Sequence, residues 1–255
     1  MEQDATRDEP SPLDLTRDEL FGGDFSLPKP MPTIVDHRPK ATIYSQGLLA
    51  ESHMACWSYG MRHIINLIER LAGDKDEINP IDDWRLFYPA HKTKDYNPLE
   101  KWSSMQAQLD FATKKWRING YYKVTTVQEM KEAINKHNFI YTGSKKIDRK
   151  KTRDSKDKVV VVGEWPWHII ELDGFDDEKK LFYMRNSYGR KAYDNGYMYL
   201  KYEDIGCLFS MYAVIDKHDG TLKDRIKARI AKKKETMRYG VKIVNGKKKL
   251  GRRPK

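Results

Sequence analysis

Cysteine is scarce in this sequence, and long apolar runs are absent from it. Only Cys56 and Cys207 occur among 255 residues, so the multi-bridge framework of a small secreted scaffold is excluded. Two cysteines cannot build a thiolate zinc site alone, and the seven histidines show no metal-ligand spacing. These scarcities exclude a disulfide-stapled scaffold and give no support to a metalloprotein.

Targeting and membrane segments are also missing from the pattern. No stretch approaches the roughly 18 consecutive apolar residues of a membrane span. The first thirty residues are acidic, whereas a signal peptide has a basic region followed by an apolar one. We therefore expect an intracellular protein, in the cytoplasm or within a particle assembled there, that does not associate with membranes.

Positive charge is concentrated at the C-terminal end. Residues 217–255 contain 16 Lys or Arg against three acidic residues, a net charge of +13, so residues 1–216 carry −2 of the total +11. Such basic runs bind phosphate backbones by releasing counterions, without sequence choice. We expect nucleic acid or another polyanion as a partner of this tail. A solvated tail, an acidic protein partner and a localisation signal remain open alternatives, and the oligomeric state is left undetermined.

The pattern of apolar residues changes along the chain. Residues 1–33 are acidic and proline-rich, which predicts a flexible arm. Helical spacing predicts a buried helix over 55–72 that begins at Cys56, a broken helix over 97–116, and a helix from Thr126 to about residue 137. A charged loop is expected over 144–158, and a helix around 222–237 before an irregular end. Strands are predicted at 139–142, 159–162, 168–172, 181–185, 197–200 and 211–215.

Helices therefore come first and strands second. This order indicates an α+β protein with two sub-domains. The helical half spans about 47–120, and the strand-rich half spans about 121–216. The basic tail covers 217–255.

Three residues have the types and positions expected of a nucleophilic cysteine and the two side chains that assist it. Cys56 lies at a predicted helix start, and a thiol attacks a carbonyl well only when an imidazole or a helix N-terminus activates it. His168 begins a predicted strand, and Asn186 follows the next strand, where its amide could accept a hydrogen bond from the imidazole. Taken singly, each residue has a structural explanation as a core cysteine, a structural histidine or a turn asparagine.

The combination resembles the papain family of cysteine peptidases over roughly 34–216. Tyr188 stands where that family usually has tryptophan. The segments that resemble its motifs, in the order of the family, are Gln46-Gly47, Ala55-Cys56-Trp57, His168 to Gly174-Phe175, Asn186-Ser187-Tyr188-Gly189 and Asn195-Gly196-Tyr197.

The resemblance implies a papain-like α+β fold with a helical half, an antiparallel β-barrel-like half and an active site in the cleft between them. It also implies a thiol-dependent hydrolase of peptide or isopeptide bonds that acts on a peptide or protein substrate without metal or organic cofactor. Cys56 would attack as a thiolate paired with imidazolium His168. Asn186 would orient the ring, and Gln46 would stabilise the oxyanion.

Two alternatives remain open. The chain could be a catalytically degenerate papain-like protein with a structural or nucleic-acid-associated role. It could also belong to another Cys-His acyl-transfer fold, such as the transglutaminase-like enzymes. Those enzymes would more naturally use Asp than Asn186 as the third residue.

Overall fold

The computed structural model describes residues 30–46, 56–73, 105–114, 118–144, 146–164, 168–215, 241–244 and 247–250. The helices are α1 (Cys56–Leu71), α2 (Met105–Lys114), α3 (Val127–Asn135) and α4 (Arg149–Asp154). The strands are β1 (Ile34–Asp36), β2 (Gly120–Lys123), β3 (Ile140–Ser144), β4 (His168–Asp176), β5 (Leu181–Arg185), β6 (Tyr197–Lys201), β7 (Leu208–Ile215), β8 (Val241–Val244) and β9 (Lys247–Leu250).

Local sequence signals account for the predicted helices that the structure contains. The buried positions of α1 include Ile64, Ile65 and Ile68 at helical spacing, and Gly73 follows the helix with a φ of +90°. At the start of α3, the Thr126 hydroxyl accepts from the Glu129 N–H at 3.2 Å, and the Glu129 carboxylate accepts from the Thr126 N–H at 3.1 Å. This reciprocal pair satisfies two of the helix's unpaired donors.

An antiparallel sheet forms the other half of the molecule. Its strand order is β2-β7-β3-β4-β5-β6, and β1 pairs with the far end of β4. Every residue of β4 is buried, so this strand runs through the middle of the core. A strand in that position determines where its neighbours on both sides are placed.

Helix α1 lies close against β4. A Cβ atom added at Gly60 would lie 2.4 Å from Oε1 of Glu171 and 3.1 Å from Cγ2 of Ile169. The absence of a side chain at Gly60 therefore permits the close approach of helix and sheet. As a consequence, the first residue of α1, Cys56, lies over the start of β4.

Some predicted elements differ from the observed ones. Residues 159–162 form isolated bridges, with Val162 pairing to Ile147 and Val159 to Tyr199, rather than a strand. The predicted charged loop contains α4, which Asp148 caps by accepting from the Lys151 N–H at 2.9 Å. The predicted irregular end is also wrong over 241–250, where β8 and β9 pair as a hairpin.

Other predictions fall wholly or partly outside the described residues. These are the acidic arm over 1–29, the helix segments over 97–104 and 115–116, and the helix around 222–237. Within the described part of the chain, no helix is long and apolar enough to cross a membrane.

Candidate active site

The register of the sheet brings His168 and Asn186 together. Glu171 of β4 pairs with Arg185 of β5, so continuing the antiparallel register places His168 opposite Tyr188 and close to Asn186. The His168 Nε2 lies 3.1 Å from the Asn186 Oδ1. Because an amide oxygen only accepts hydrogen bonds, this contact assigns the proton to Nε2 and leaves Nδ1 as the basic nitrogen of the neutral ring.

Tyr188 and Arg149 extend this arrangement. The rings of His168 and Tyr188 stack at 4.7 Å with an interplanar angle of 7°. The Tyr188 hydroxyl lies 3.4 Å from the His168 Nδ1, and the Arg149 guanidinium lies 4.5 Å from the centre of the Tyr188 ring. An aromatic face therefore covers the histidine, and a cation lies over the same tyrosine ring.

Cys56 is held against the residue that follows His168. The residue is 2% exposed, and the backbone N–H of Ile169 lies close enough to its thiol to lower the thiol pKa. Tyr188 and Glu171 are close enough to interact with the charge of a Cys56 thiolate. Cys56 therefore belongs to the buried core at the boundary of α1 and β4, with the polar groups of Glu171 and Tyr188 near enough to affect its charge.

Burial favours the neutral forms of both reactive groups. It raises the pKa of Cys56 to about 11, against the opposing effect of the Ile169 and Trp57 backbone N–H groups. It also lowers the pKa of His168 to about 4, with the hydrogen bond to Asn186 opposing this shift and the charge of Arg149 adding to it. The thiolate and imidazolium expected from the resemblance are thus disfavoured at rest, and a thiol beside a neutral imidazole is favoured.

Gln46 is attached to the segment that follows β5. Its backbone N–H donates to the Ser187 carbonyl oxygen at 2.8 Å, and the preceding Ser45 forms a bridge with Tyr188. The Ser187 hydroxyl donates to Oε1 of Gln46, which turns the donor Nε2 away from Ser187. Gly189 has a φ of +84°, and a Cβ there would lie 3.0 Å from the Cβ of Ser45, so glycine permits this close contact.

The structure therefore brings Gln46, His168 and Asn186 together at one end of β4 and β5. Cys56, the first residue of α1, lies near the backbone of Ile169, the residue that follows His168. Residues 47–55 and 165–167, which precede Cys56 and His168, lie outside the described residues.

Sequence reasoning did not identify a buried ionic cluster behind Cys56. The Arg185 Nε lies 3.2 Å from the Asp173 Oδ2 and 3.6 Å from the Glu171 Oε2, and all three side chains are fully buried. The signal was present, because Glu171 and Asp173 interrupt a strand that otherwise reads as apolar. Their meeting with Arg185 depends on the pairing of β4 with β5, which sequence alone does not give.

Burial and the shared cation of Arg185 determine which carboxyl in the cluster is ionised. Asp173 accepts from the Tyr197 hydroxyl at 2.9 Å, and its pKa is raised by burial to about 6. The Tyr44 N–H donates to the Nε2 of His63, so the Nδ1–H of His63 donates to Glu171 at 3.0 Å. Burial raises the pKa of Glu171 to about 8. Because Arg185 neutralises one negative charge, Asp173 is ionised near neutral pH and Glu171 keeps its proton.

Metal ligands do not cluster in the described part of the chain. There, no group of three or more His, Cys, Asp or Glu side chains is arranged to hold a metal ion. Cys56 and Cys207 are both free thiols.

Comparisons with known proteins identify similar structures. No family model matches the sequence, and no curated protein sequence matches it. Xylellain, a cysteine protease from Xylella fastidiosa, is similar with a TM-score of 0.60 and 14% identity, over 74% of this chain and 88% of that one. Digestive procathepsin L 3 of the Tenebrio molitor larval midgut has a TM-score of 0.55 and 12% identity, over 83% and 76%. A recombinant stem bromelain precursor has a TM-score of 0.51 and 14% identity, over 74% and 72%.

This chain has the papain-like fold. The expected α+β architecture, with a helical part and an antiparallel sheet, is confirmed. A papain-like fold does not by itself determine an activity, since function depends on the residues placed on a fold. The chemistry must therefore be argued from Cys56, His168, Asn186 and Gln46.

Proposed function

We propose that the chain is a cysteine peptidase that hydrolyses peptide or isopeptide bonds. The observation that carries this proposal is the 3.1 Å contact between His168 and Asn186. His168 begins β4, the strand against which α1 and its first residue, Cys56, pack. The contact fixes the tautomer in which Nδ1 can accept a proton. A general base with a fixed tautomer beside a nucleophile is the arrangement that acyl transfer requires.

The burial of the site determines how the first step proceeds. Because the neutral thiol–imidazole pair is favoured, the Cys56 proton passes to the His168 Nδ1 as the sulfur attacks the scissile carbonyl. The new S–C bond makes a tetrahedral oxyanion, which the Gln46 Nε2–H and the Cys56 backbone N–H stabilise by hydrogen bonds. First-turn N–H groups of α1 favour the developing negative charge as well.

His168 then returns the proton in the second step. Imidazolium His168 protonates the departing amine, the C–N bond breaks, and an acyl-enzyme remains on Cys56. A water molecule gives a proton to His168 and attacks the thioester. The acid product leaves, and the thiol is restored. Asn186 keeps the ring aligned throughout.

The rival function is a catalytically degenerate papain-like binding protein. Mass-spectrometric labelling with an electrophilic cysteine-peptidase probe separates the two, because Cys207 provides an internal comparison in the same chain. We expect selective labelling of Cys56, and we expect His168→Ala to slow it by about a hundredfold or more, which is the ordinary contribution of a general base. Asn186→Ala should slow it less.

Labelling of Cys56 and Cys207 at equal rates would contradict the proposal. So would an unchanged Cys56 rate in His168→Ala. Far-ultraviolet circular dichroism of each variant controls for loss of the fold.

A further inference from the structure

Arg149 occupies a defined position beside the proposed catalytic histidine. Its guanidinium lies over the Tyr188 ring, and its charge opposes the rise that burial causes in the pKa of the nearby Tyr193. Tyr188 in turn stacks on His168. Arg149 itself is exposed, so this cation lies against an aromatic ring at the surface of the protein.

The chemistry of His168 identifies which part of a substrate passes Arg149. The ring nitrogen that is not bound to Asn186 is Nδ1, and Nδ1 must deliver the proton to the departing amine. The Tyr188 hydroxyl lies 3.4 Å from that nitrogen. Tyr188 therefore borders the path of the leaving group, and Arg149 lies over the ring of that same tyrosine.

The surrounding segment carries the same sign of charge. Residues 144–158 contain eight Lys or Arg against three Asp, a net charge of +5. Two of these carboxylates are already engaged within the segment, Asp148 with Lys151 and Asp154 with Arg153. A partly buried anion next to a pre-positioned guanidinium gains more binding free energy than a neutral group of the same shape. The reason is that charge-assisted hydrogen bonds to Arg are stronger than neutral ones and can be bidentate.

We propose that Arg149 selects substrates with a carboxylate immediately after the scissile bond. This inference rests on the peptidase function proposed above and specifies its substrate class. The carboxylate belongs either to an Asp or Glu side chain in the leaving segment or to a free chain terminus close to the cut. Both present the same group to the guanidinium.

The test compares matched peptides that differ only after the scissile bond. The peptides are internally quenched libraries with randomised residues before the scissile bond and an amidated C-terminus. Three libraries carry Asp, Asn or Lys as the first residue after that bond. We expect kcat/KM to favour Asp over Asn by about tenfold at low salt, and the preference to shrink as ionic strength rises. A second pair of peptides ends at that residue, one with a free carboxylate and one with an amide. This pair shows whether the recognised carboxylate belongs to a chain terminus or to a side chain.

Three variants assign the preference to a residue. Arg149→Gln should bring the Asp to Asn ratio close to one, and Arg149→Glu should favour Lys. Lys156→Gln removes an exposed cation of the same segment and should leave the ratio as in the wild type. A ratio that Arg149→Gln does not change, or one that Lys156→Gln reduces equally, overturns the inference.

A binding measurement keeps the inference separate from the peptidase proposal. If no peptide is cleaved, the peptidase proposal fails, and calorimetric titration of the full chain with Asp-Ala-Ala-amide and Asn-Ala-Ala-amide decides the inference. Tighter binding of the Asp peptide that disappears in Arg149→Gln supports it. Equal affinities, or a preference that survives in Arg149→Gln, overturn it.

Discussion

The proton affinity of His168 is set by neighbours with opposing effects. Burial lowers its pKa to about 4, the hydrogen bond to Asn186 opposes this, and the Arg149 charge adds to the lowering. Tyr188 covers the ring without carrying a charge at neutral pH, because burial raises its pKa to about 12. His168 therefore stays neutral, and able to accept a proton, until the pH falls to about 4.

This protonation behaviour predicts a pH profile for Cys56. We expect alkylation by iodoacetamide, a neutral reagent, to lose rate as the pH falls through about 4, because imidazolium cannot accept the thiol proton. Arg149→Gln removes a repulsive charge, so the pKa of His168 should rise. The fall of the alkylation rate at low pH, the acid limb of the profile, should then occur at a higher pH. Rates at low ionic strength, resolved by mass spectrometry for each cysteine, measure the shift.

Cys207 is the internal control for this profile. Burial raises its pKa to about 11, and among the described residues no imidazole contributes to that shift. The alkylation of Cys207 should therefore rise only toward alkaline pH. Identical acid limbs in the wild type and in Arg149→Gln would contradict the assignment of the limb to His168.

At the level of elements, the pairing of β4 with β5 joins the candidate site to the buried ionic cluster. His168 begins β4 and Asn186 follows β5, while Glu171, Asp173 and Arg185 lie further along the same two strands. A buried ion pair from which one partner is removed leaves an uncompensated charge in the core. Arg185 thus has a stabilising role that can be separated from catalysis.

We expect Arg185→Met to reduce the free energy of unfolding by about 3–5 kcal/mol at pH 7. Asp173 would then be buried without its cation, which raises its pKa above the value of about 6 that it has beside Arg185. A carboxyl with a raised folded pKa costs no stability below its unfolded pKa and costs more as the pH rises. The destabilisation should therefore be smaller at pH 5 than at pH 7, as urea unfolding at both values would show.

Glu171→Gln is the matched control for Arg185→Met. Because Glu171 keeps its proton near neutral pH, the amide replaces a neutral group of nearly the same shape, and the effect at pH 7 should be small. Equal destabilisation in both variants, or a destabilisation by Arg185→Met that does not depend on pH, would show that the cluster is not ionised as inferred.

Elements with strong local signals could be predicted from the sequence. Strand β5 lies over the predicted 181–185, and α1 begins at the predicted Cys56, because apolar spacing determined both. Helix α4 was missed because its six residues carry no apolar period and depend on the Asp148 cap. The β8–β9 hairpin was missed although Asn245-Gly246, a pair favoured in two-residue hairpin turns, separates its strands.

The candidate site residues could be proposed as a set from the sequence, but their environment could not be predicted. The order of Gln46, Cys56, His168 and Asn186 along the chain resembles one family, and the structure brings the last two into contact at 3.1 Å. Arg149 gave no signal, because it lies in a run of similar charged residues. Only the packing of Tyr188 on His168 distinguishes Arg149 from its neighbours.

At the scale of the whole molecule, basic charge occurs in two separate segments. One is 144–158, whose Arg149 lies beside the candidate site, and the other is 217–255 with its net charge of +13. The expectation that the tail meets nucleic acid or another polyanion stands as a proposal. One of its two runs of three lysines, Lys247-Lys248-Lys249, lies on β9, where the backbone pairs with β8.

We propose that the tail, rather than the segment beside the site, dominates retention on polyanions. Replacing Lys247, Lys248 and Lys249 with Gln in the full chain should weaken binding to duplex DNA. The slope of log K against log salt should shrink by about 0.9 for each phosphate that the variant no longer neutralises. Binding isotherms at several salt concentrations measure this slope.

A matched triple variant, in which the exposed Lys146, Lys150 and Lys156 become Gln, removes the same charge elsewhere. If both triples reduce the slope equally, binding follows total charge and the tail has no special role. If the wild type shows no salt-sensitive retention, the polyanion proposal fails. Labelling of Cys56 should remain unchanged in the tail triple, because β9 pairs with β8 among the described strands and is distant in sequence from α1 and β4.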